Sequence, residues 1–157
     1  MDIKEYLREN GVKFRIATHL PQYTAQEVAA ANHVPGRMLA KVVIVRVGPR
    51  SVMTVAPASR MVDVGKLKQL LGTEDVRLAE EHEMRQLFPD CELGAEPPFG
   101  NLYHLETVID RQLTLQDEIV FQSGSHRETL RISYADYERL AQPRVAEFTL
   151  PAKAHVT

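Results

Sequence analysis

The longest apolar segment of the chain runs from Met38 to Val47 as MLAKVVIVRV, and its β-branched content predicts a buried strand. One charge interrupts it. Alternation of side chains along a strand puts Lys41 on one face with Val43, Val45 and Val47, and puts Val42, Ile44 and Arg46 on the other; the first face is the expected inside. Other elements follow from the same kind of pattern. Asp2 to Asn10 predicts a short helix stopped at Gly11, and Val12 to Ile16 alternates as a strand. Thr24 and Glu27 form a capping box for a helix reaching about Ala31, and Pro35-Gly36 then breaks the chain. Residues 47–51 turn it back into a strand over Val52 to Ala56. Asp63 caps a helix from Val64 to Leu71 that Gly72 ends, and a further helix spans about Glu80 to Phe88. Strands are expected at Asn101–Val108, Glu118–Gln122 and Thr129–Ile132, and a helix from Tyr134 capped by Ser133 with Asp136. Strands joined mainly by hairpins, with helices outside them, indicate an α+β class.

Three places do not fit a purely structural reading. Lys41 puts an ammonium in an apolar run, which is costly unless its stem snorkels to water or the charge has a task. Leu93 to Gly100, LGAEPPFG, joins two fixed φ angles to two glycines, so it is a stiff loop able to let a ligand approach the backbone. Ser123-Gly124-Ser125-His126 lies between apolar runs and reads as a hairpin tip carrying a histidine.

In this order and with these flanks, the three segments resemble the YbaK/prolyl-tRNA synthetase-associated family of aminoacyl-tRNA editing domains. The resemblance covers nearly the whole chain. It takes in the helix TAQEVAA from Thr24, the strand lysine, the Gly-x-x-Pro-Pro-Phe-Gly loop, the strand end Val108-Ile109-Asp110, the Ser-Gly-Ser-His hairpin and the helix start at Ile132 to Tyr137. It implies a mixed, curled and partly barrel-like sheet flanked by helices, and hydrolysis of the ester in a mischarged tRNA, typically a proline tRNA carrying a small wrong amino acid such as alanine or cysteine. It also implies site residues. Lys41, Gly94 and His126 are the catalytic candidates; Thr24, Ala95, Glu96, Pro97, Pro98, Asp110, Gly124 and Ser125 are the substrate-binding ones. In the expected mechanism Lys41 anchors a phosphate or the ester oxygen, the N–H groups of Gly94 and Ala95 face the oxyanion, and His126 orients water, ribose or the amino acid. Asp110 binds the substrate's ammonium or simply ends its strand, and Thr24 is first a helix cap.

Composition narrows the rest. The 157 residues suit one domain spanning 1–157, and a chain of that size buries roughly 68–70% of its unfolded surface. The formal charge is −2, from 19 Lys and Arg against 21 Asp and Glu, with a pI near 6.3. Clamping of long nucleic-acid stretches, and DNA in particular, is therefore not expected, and contact should be local to a tRNA acceptor end. Candidate cations for it are Arg37, Lys41, Arg46, Arg60, Lys66, Lys68, Arg127 and Arg131. The single cysteine, Cys91, and the histidines at 19, 33, 82, 104, 126 and 155 show no ligand spacing, so neither metal nor cofactor is expected. Phosphate-loop, dinucleotide, nucleophile-elbow and zinc-protease motifs are missing. The charged start and the lack of a spanning run suggest a cytoplasmic, free-standing domain with no membrane partner. No segment resembles an anticodon-binding domain, so selection of tRNA would fall to the acceptor end or to prolyl-tRNA synthetase as a partner. A non-catalytic module binding a nucleotide or RNA end, or a regulatory protein of the same fold, is the alternative.

Overall fold

The structure is a computed structural model in which residues 2–152 are described; His155 lies outside them. The elements in chain order are α1 (Ile3–Glu9), β1 (Arg15–Thr18), α2 (Ala25–Ala31), β2 (Ala40–Val47), β3 (Arg50–Pro57), β4 (Arg60–Val62), α3 (Val64–Leu71), β5 (Val76–Leu78) and α4 (Glu81–Leu87). A 3₁₀ turn (Gly100–Tyr103) leads to β6 (Glu106–Asp110), α5 (Arg111–Thr114), β7 (Glu118–Gln122), β8 (Glu128–Ser133), α6 (Tyr134–Ala141), β9 (Arg144–Ala146) and β10 (Thr149–Pro151). No helix among the described residues is long and apolar enough to cross a membrane.

A five-stranded mixed sheet, ordered β5-β2-β3-β6-β9, pairs β2 antiparallel with β3 and β5, while β6 runs parallel to β3 and β9. A three-stranded antiparallel sheet, β1-β8-β7, packs beside it, and β4 pairs with β10. The sheets are α+β as expected but remain open. A single bridge, Leu39 to Val120, runs parallel between the end of β2 and β7.

The main core lies between the two sheets. Ala40, Ile44, Met53, Val55 and Ile109 meet Ile119, Phe121, Leu130 and Ile132 there, with Ile3 and Leu7 of α1 and Tyr137 of α6 closing the edges. Val45, Val47, Val52 and Val108 on the opposite face of the large sheet meet Leu67 of α3 and Phe148. Strand β2 is therefore buried on both faces, not on the Lys41 face alone. A third cluster puts Val28 and Ala29 of α2 over Leu39, Ala58 and Val120.

The caps hold as the sequence expects: Thr24, Asp63 and Ser133 each accept a backbone N–H of their helix, and Gly72 ends α3 at φ 69°. Two expectations fail, and four short strands fall outside any expectation. The first strand begins at Arg15, after Phe14, and all four of its residues are exposed, Ile16 at 48%. Residues 101–105 form the 3₁₀ turn and its exit instead of strand, because a Cβ on Gly100 would collide with Thr107 Oγ1 and sit 2.8 Å from Leu105 O; the chain folds back tightly at this point. The short strands β4, β5, β9 and β10 carry too few residues to show a period.

Candidate active site

The parallel bridge between Leu39 and Val120 sets the geometry. Both side chains pack under α2. Two residues further along each strand, and hence on the same faces, come Lys41 on β2 and Gln122 at the end of β7. Lys41 is half-buried, and its Nζ donates to Arg60 O at 2.6 Å. Burial pulls the ammonium below the usual lysine range, and the only partner found for it among the described residues is that carbonyl.

The Gly94–Pro98 loop and the 123–126 hairpin tip are fastened to each other. Glu92 N–H donates to Gly124 O at 2.8 Å, and Gly124 N–H returns a bond to Ala95 O at 2.8 Å. Glu92 also accepts from His126 N–H at 2.9 Å, His126 Nε2 lies 2.6 Å from Leu93 O, and Gln122 Nε2 donates to Gly94 O at 3.4 Å. Positive φ values at Gly94 (87°) and Gly124 (101°) make both turns possible. Pro98 O accepts from the buried Tyr137 hydroxyl at 2.7 Å. Phe99 is fully buried against Tyr6, Phe121 and Tyr137 with ring centroids 6.0, 5.5 and 5.1 Å away, each edge-on pair adding about 0.5–1.5 kcal/mol beyond burial.

Three polar atoms around Gly94 are buried without a hydrogen-bond partner: Glu96 Oε2, Gln122 Oε1 and His126 Nδ1. Leu93 O can only accept, so His126 Nε2 carries a hydrogen, and in that tautomer Nδ1 is an acceptor. Glu96 is 4% exposed, and burial pushes its carboxyl up, opposed by backbone N–H groups and by His126. Tyr23, 71% exposed, lies against the His126 ring at 4.8 Å. Surface clefts of about 520 and 310 Å³ flank the hairpin through Lys4, His19 and Arg127, and through Cys91 and Tyr103, respectively. Neither is lined by Lys41 or His126, so the orphaned polar atoms mark the site better than cleft volume does.

The other expected site residues have partners of their own. Gly94 N–H is held by Glu96 Oε1 at 3.0 Å and Ala95 N–H by Glu92 O at 3.0 Å, so neither faces an oxyanion in this state. Both oxygens of Asp110 are occupied, Oδ2 by Gln112 N–H and Oδ1 by Phe148 N–H, so it ends its strand and caps α5. Thr24 accepts from Glu27 N–H and donates to Glu27 Oε1, which is the cap. Ser125 Oγ accepts from Arg127 N–H. Pro97 O accepts from Phe99 N–H and stiffens the loop. Of the candidate cations, Arg46, Lys68 and Arg131 pair with Glu83, Glu74 and Glu118, and Lys66 and Arg60 reach Thr149. Among the described residues no group of three His, Cys, Asp or Glu side chains gathers as metal ligands would.

Residues 19–140 match the aminoacyl-tRNA editing domain family. The chain belongs to that family. Its chemistry is that of an aminoacyl-tRNA hydrolase. Over 150 residues the chain is 29% identical to the multifunctional Ser/Thr-tRNA deacylase ProXp-y of Escherichia coli K12, covering 90% of this chain and 87% of that one. Over 119 residues it is 28% identical to a proline–tRNA ligase of Thiobacillus denitrificans, covering 75% of this chain and 20% of the ligase. Its fold superposes at a TM-score of 0.82 on the crystal structure of a candidate trans-editing enzyme for prolyl tRNA synthetase, at 22% identity and 95% coverage of each.

The sequence reading missed Glu92 and Gln122. Gln122 had a signal, a polar side chain directly after the apolar run Ile119-Val120-Phe121; Glu92 had none, because a loop carboxylate that grips a backbone N–H looks like any surface acid.

Proposed function

We propose that this domain removes a small wrong amino acid from mischarged tRNA by positioning water at the ester, with proline tRNA carrying alanine or cysteine as the first substrate class. The observation that carries this is the half-buried ammonium of Lys41, which is costly where it stands and has a single carbonyl partner found for it. An anionic oxygen arriving beside it, from a terminal phosphate or from the ester as it develops charge, offsets that cost and is stabilised most in the transition state. With the N–H groups of Gly94 and Ala95 engaged inside the loop, this charge falls to Lys41. His126, fixed by three hydrogen bonds through its ring and backbone, is placed to orient the aminoacyl end. No covalent nucleophile is required of an activated ester. Cys91 does not supply one, since burial pushes its thiol up to about 11.

A second reading, serine or threonine as the amino acid removed, is favoured by the breadth of the similarity to the Escherichia coli deacylase. A deacylation panel tests both: proline tRNA charged with alanine, cysteine, serine or proline, beside threonine tRNA charged with serine. Cleavage of alanyl- and cysteinyl-tRNA with proline retained supports the first reading. Cleavage confined to seryl esters supports the second, and no cleavage of any ester contradicts both.

A further inference from the structure

Glu96, Gln122 and His126 surround a residue with no side chain. Glu96 Oε1 takes Gly94 N–H, Gln122 Nε2 reaches Gly94 O, and among the described residues beyond its two chain neighbours the only atom within 4 Å of a Cβ placed on Gly94 is His126 Cε1 at 3.6 Å. Each group has a buried acceptor left. Gln122 spends an amide hydrogen on Gly94 O and keeps Oε1; His126 spends its ring N–H on Leu93 O and keeps Nδ1; Glu96 keeps Oε2. All three side chains are at least nine-tenths buried, at 4%, 9% and 6% exposure. Buried acceptors without donors are expensive, and native structures rarely leave several together unless something fills them.

The ligand that fills them must bring hydrogen-bond donors and positive charge. The end of an aminoacyl-tRNA offers phosphates, ribose hydroxyls, an adenine, an ester carbonyl and the α-ammonium. Phosphate and carbonyl bring only acceptors, and hydroxyls and adenine bring both kinds without charge. The ammonium alone has three donors, no acceptor and a charge opposite to that of the carboxylate. We infer that Glu96, Gln122 and His126 form a subsite for the free α-ammonium of the aminoacyl group, one of the two roles expected of Asp110. The inference rests on the editing reading above and deepens it. Because the ammonium carbon is bonded to the ester carbonyl carbon, seating one fixes the other, and Lys41 extends from the neighbouring strand on the face that Gln122 shares. Tyr23 over the His126 ring is the exposed cover that an entering substrate displaces.

The consequence is a chemical filter. An ester whose amine is acylated, as in peptidyl-tRNA, brings one amide donor without charge and leaves the carboxylate unpaired, so the domain refuses it. A site built to hydrogen-bond a group rejects the analogue lacking it by factors of about 10⁴ or more in the strongest cases; at least about 10²-fold is expected here.

The test compares alanyl- and seryl-tRNA with their N-acetyl forms, for the wild type and Glu96→Gln. The glutamine keeps an oxygen for Gly94 N–H but loses the charge, so the thermal midpoint should hold or rise. The expected result is a wild type at least 100-fold slower on the acetylated ester, and a variant at least 10-fold slower on the free-amine ester with its acetyl rate unchanged. A wild type that cleaves free and acetylated esters within threefold overturns the subsite while leaving the editing reading intact. So does a Glu96→Gln protein with wild-type discrimination, since Glu96 would then serve the loop and hold water only. A wild type inactive on every ester overturns the editing reading itself.

Discussion

Cys91 and Gly94 stand three residues apart in one loop, and their chemistry separates what is inert from what is poised. Burial, with the neighbouring Asp90 and Glu96 carboxylates, keeps the Cys91 thiol protonated at neutral pH, against the opposing pull of the Tyr103 hydroxyl at 3.4 Å. Alkylation by iodoacetamide at pH 7.5 should therefore run at least tenfold slower than for a model thiol, and deacylation should survive it; rapid labelling with loss of activity would point to a thiol mechanism. Gly94 is poised. Its φ of 87° makes any side chain cost about 1–2 kcal/mol, and a Cβ would lie 3.6 Å from His126 Cε1. Gly94→Ala should lose that much stability by denaturant unfolding and, measured well below its midpoint, lose turnover by about tenfold or more. The same methyl on Gly100 meets Thr107 and Leu105 directly, so that variant should fail in folding first.

At the level of elements, the attachments of loop and helix can be weighed singly. Tyr137 on α6 donates its hydroxyl to Pro98 O inside the core, so Tyr137→Phe leaves that carbonyl buried without a donor. The expected cost is about 1–3 kcal/mol by urea denaturation, with a loss of turnover as the glycine-proline loop loosens. Helix α4 is held through Glu83, which bonds Arg77 at 2.7 Å and lies 3.3 Å from Arg46. The Arg77 hydrogen bond, then the N–H of Glu80, hold the Glu83 carboxyl down at about 2. Since its folded value lies below its unfolded one, its contribution is present in full above about pH 4.5 and is lost as pH falls towards 2. Glu83→Gln should flatten the acid limb of a stability-versus-pH curve in that window; an unchanged limb would show that the ion pairs contribute nothing. Helix caps and the lysine strand were legible because they are local: Thr24, Asp63 and Ser133 need only their own helix. The fastening of Glu92 to His126 and the second buried face of β2 were not, because both depend on segments brought together from 20 or more residues away.

For the molecule as a whole, the two sheets and α2 meet at the Leu39–Val120 bridge, two residues before Lys41 and Gln122, and the editing reading depends on that meeting point. The charge costs stability at neutral pH. Burial lowers its folded value, so the unfolded chain binds the proton more tightly, and the penalty is full below the folded value and fades as pH rises towards the ordinary lysine range. Lys41→Met keeps the stem and removes the penalty. Lys41→Arg, with a planar fork in place of a compact charge, should restore only part of the activity. The most direct measurement is single-turnover deacylation of a mischarged tRNA by the wild type and Lys41→Met, with the thermal midpoint taken on the same preparations. The account predicts a methionine variant at least as stable as the wild type at pH 7 and slower by about 10²-fold or more. A stable Lys41→Met protein with wild-type turnover would contradict it.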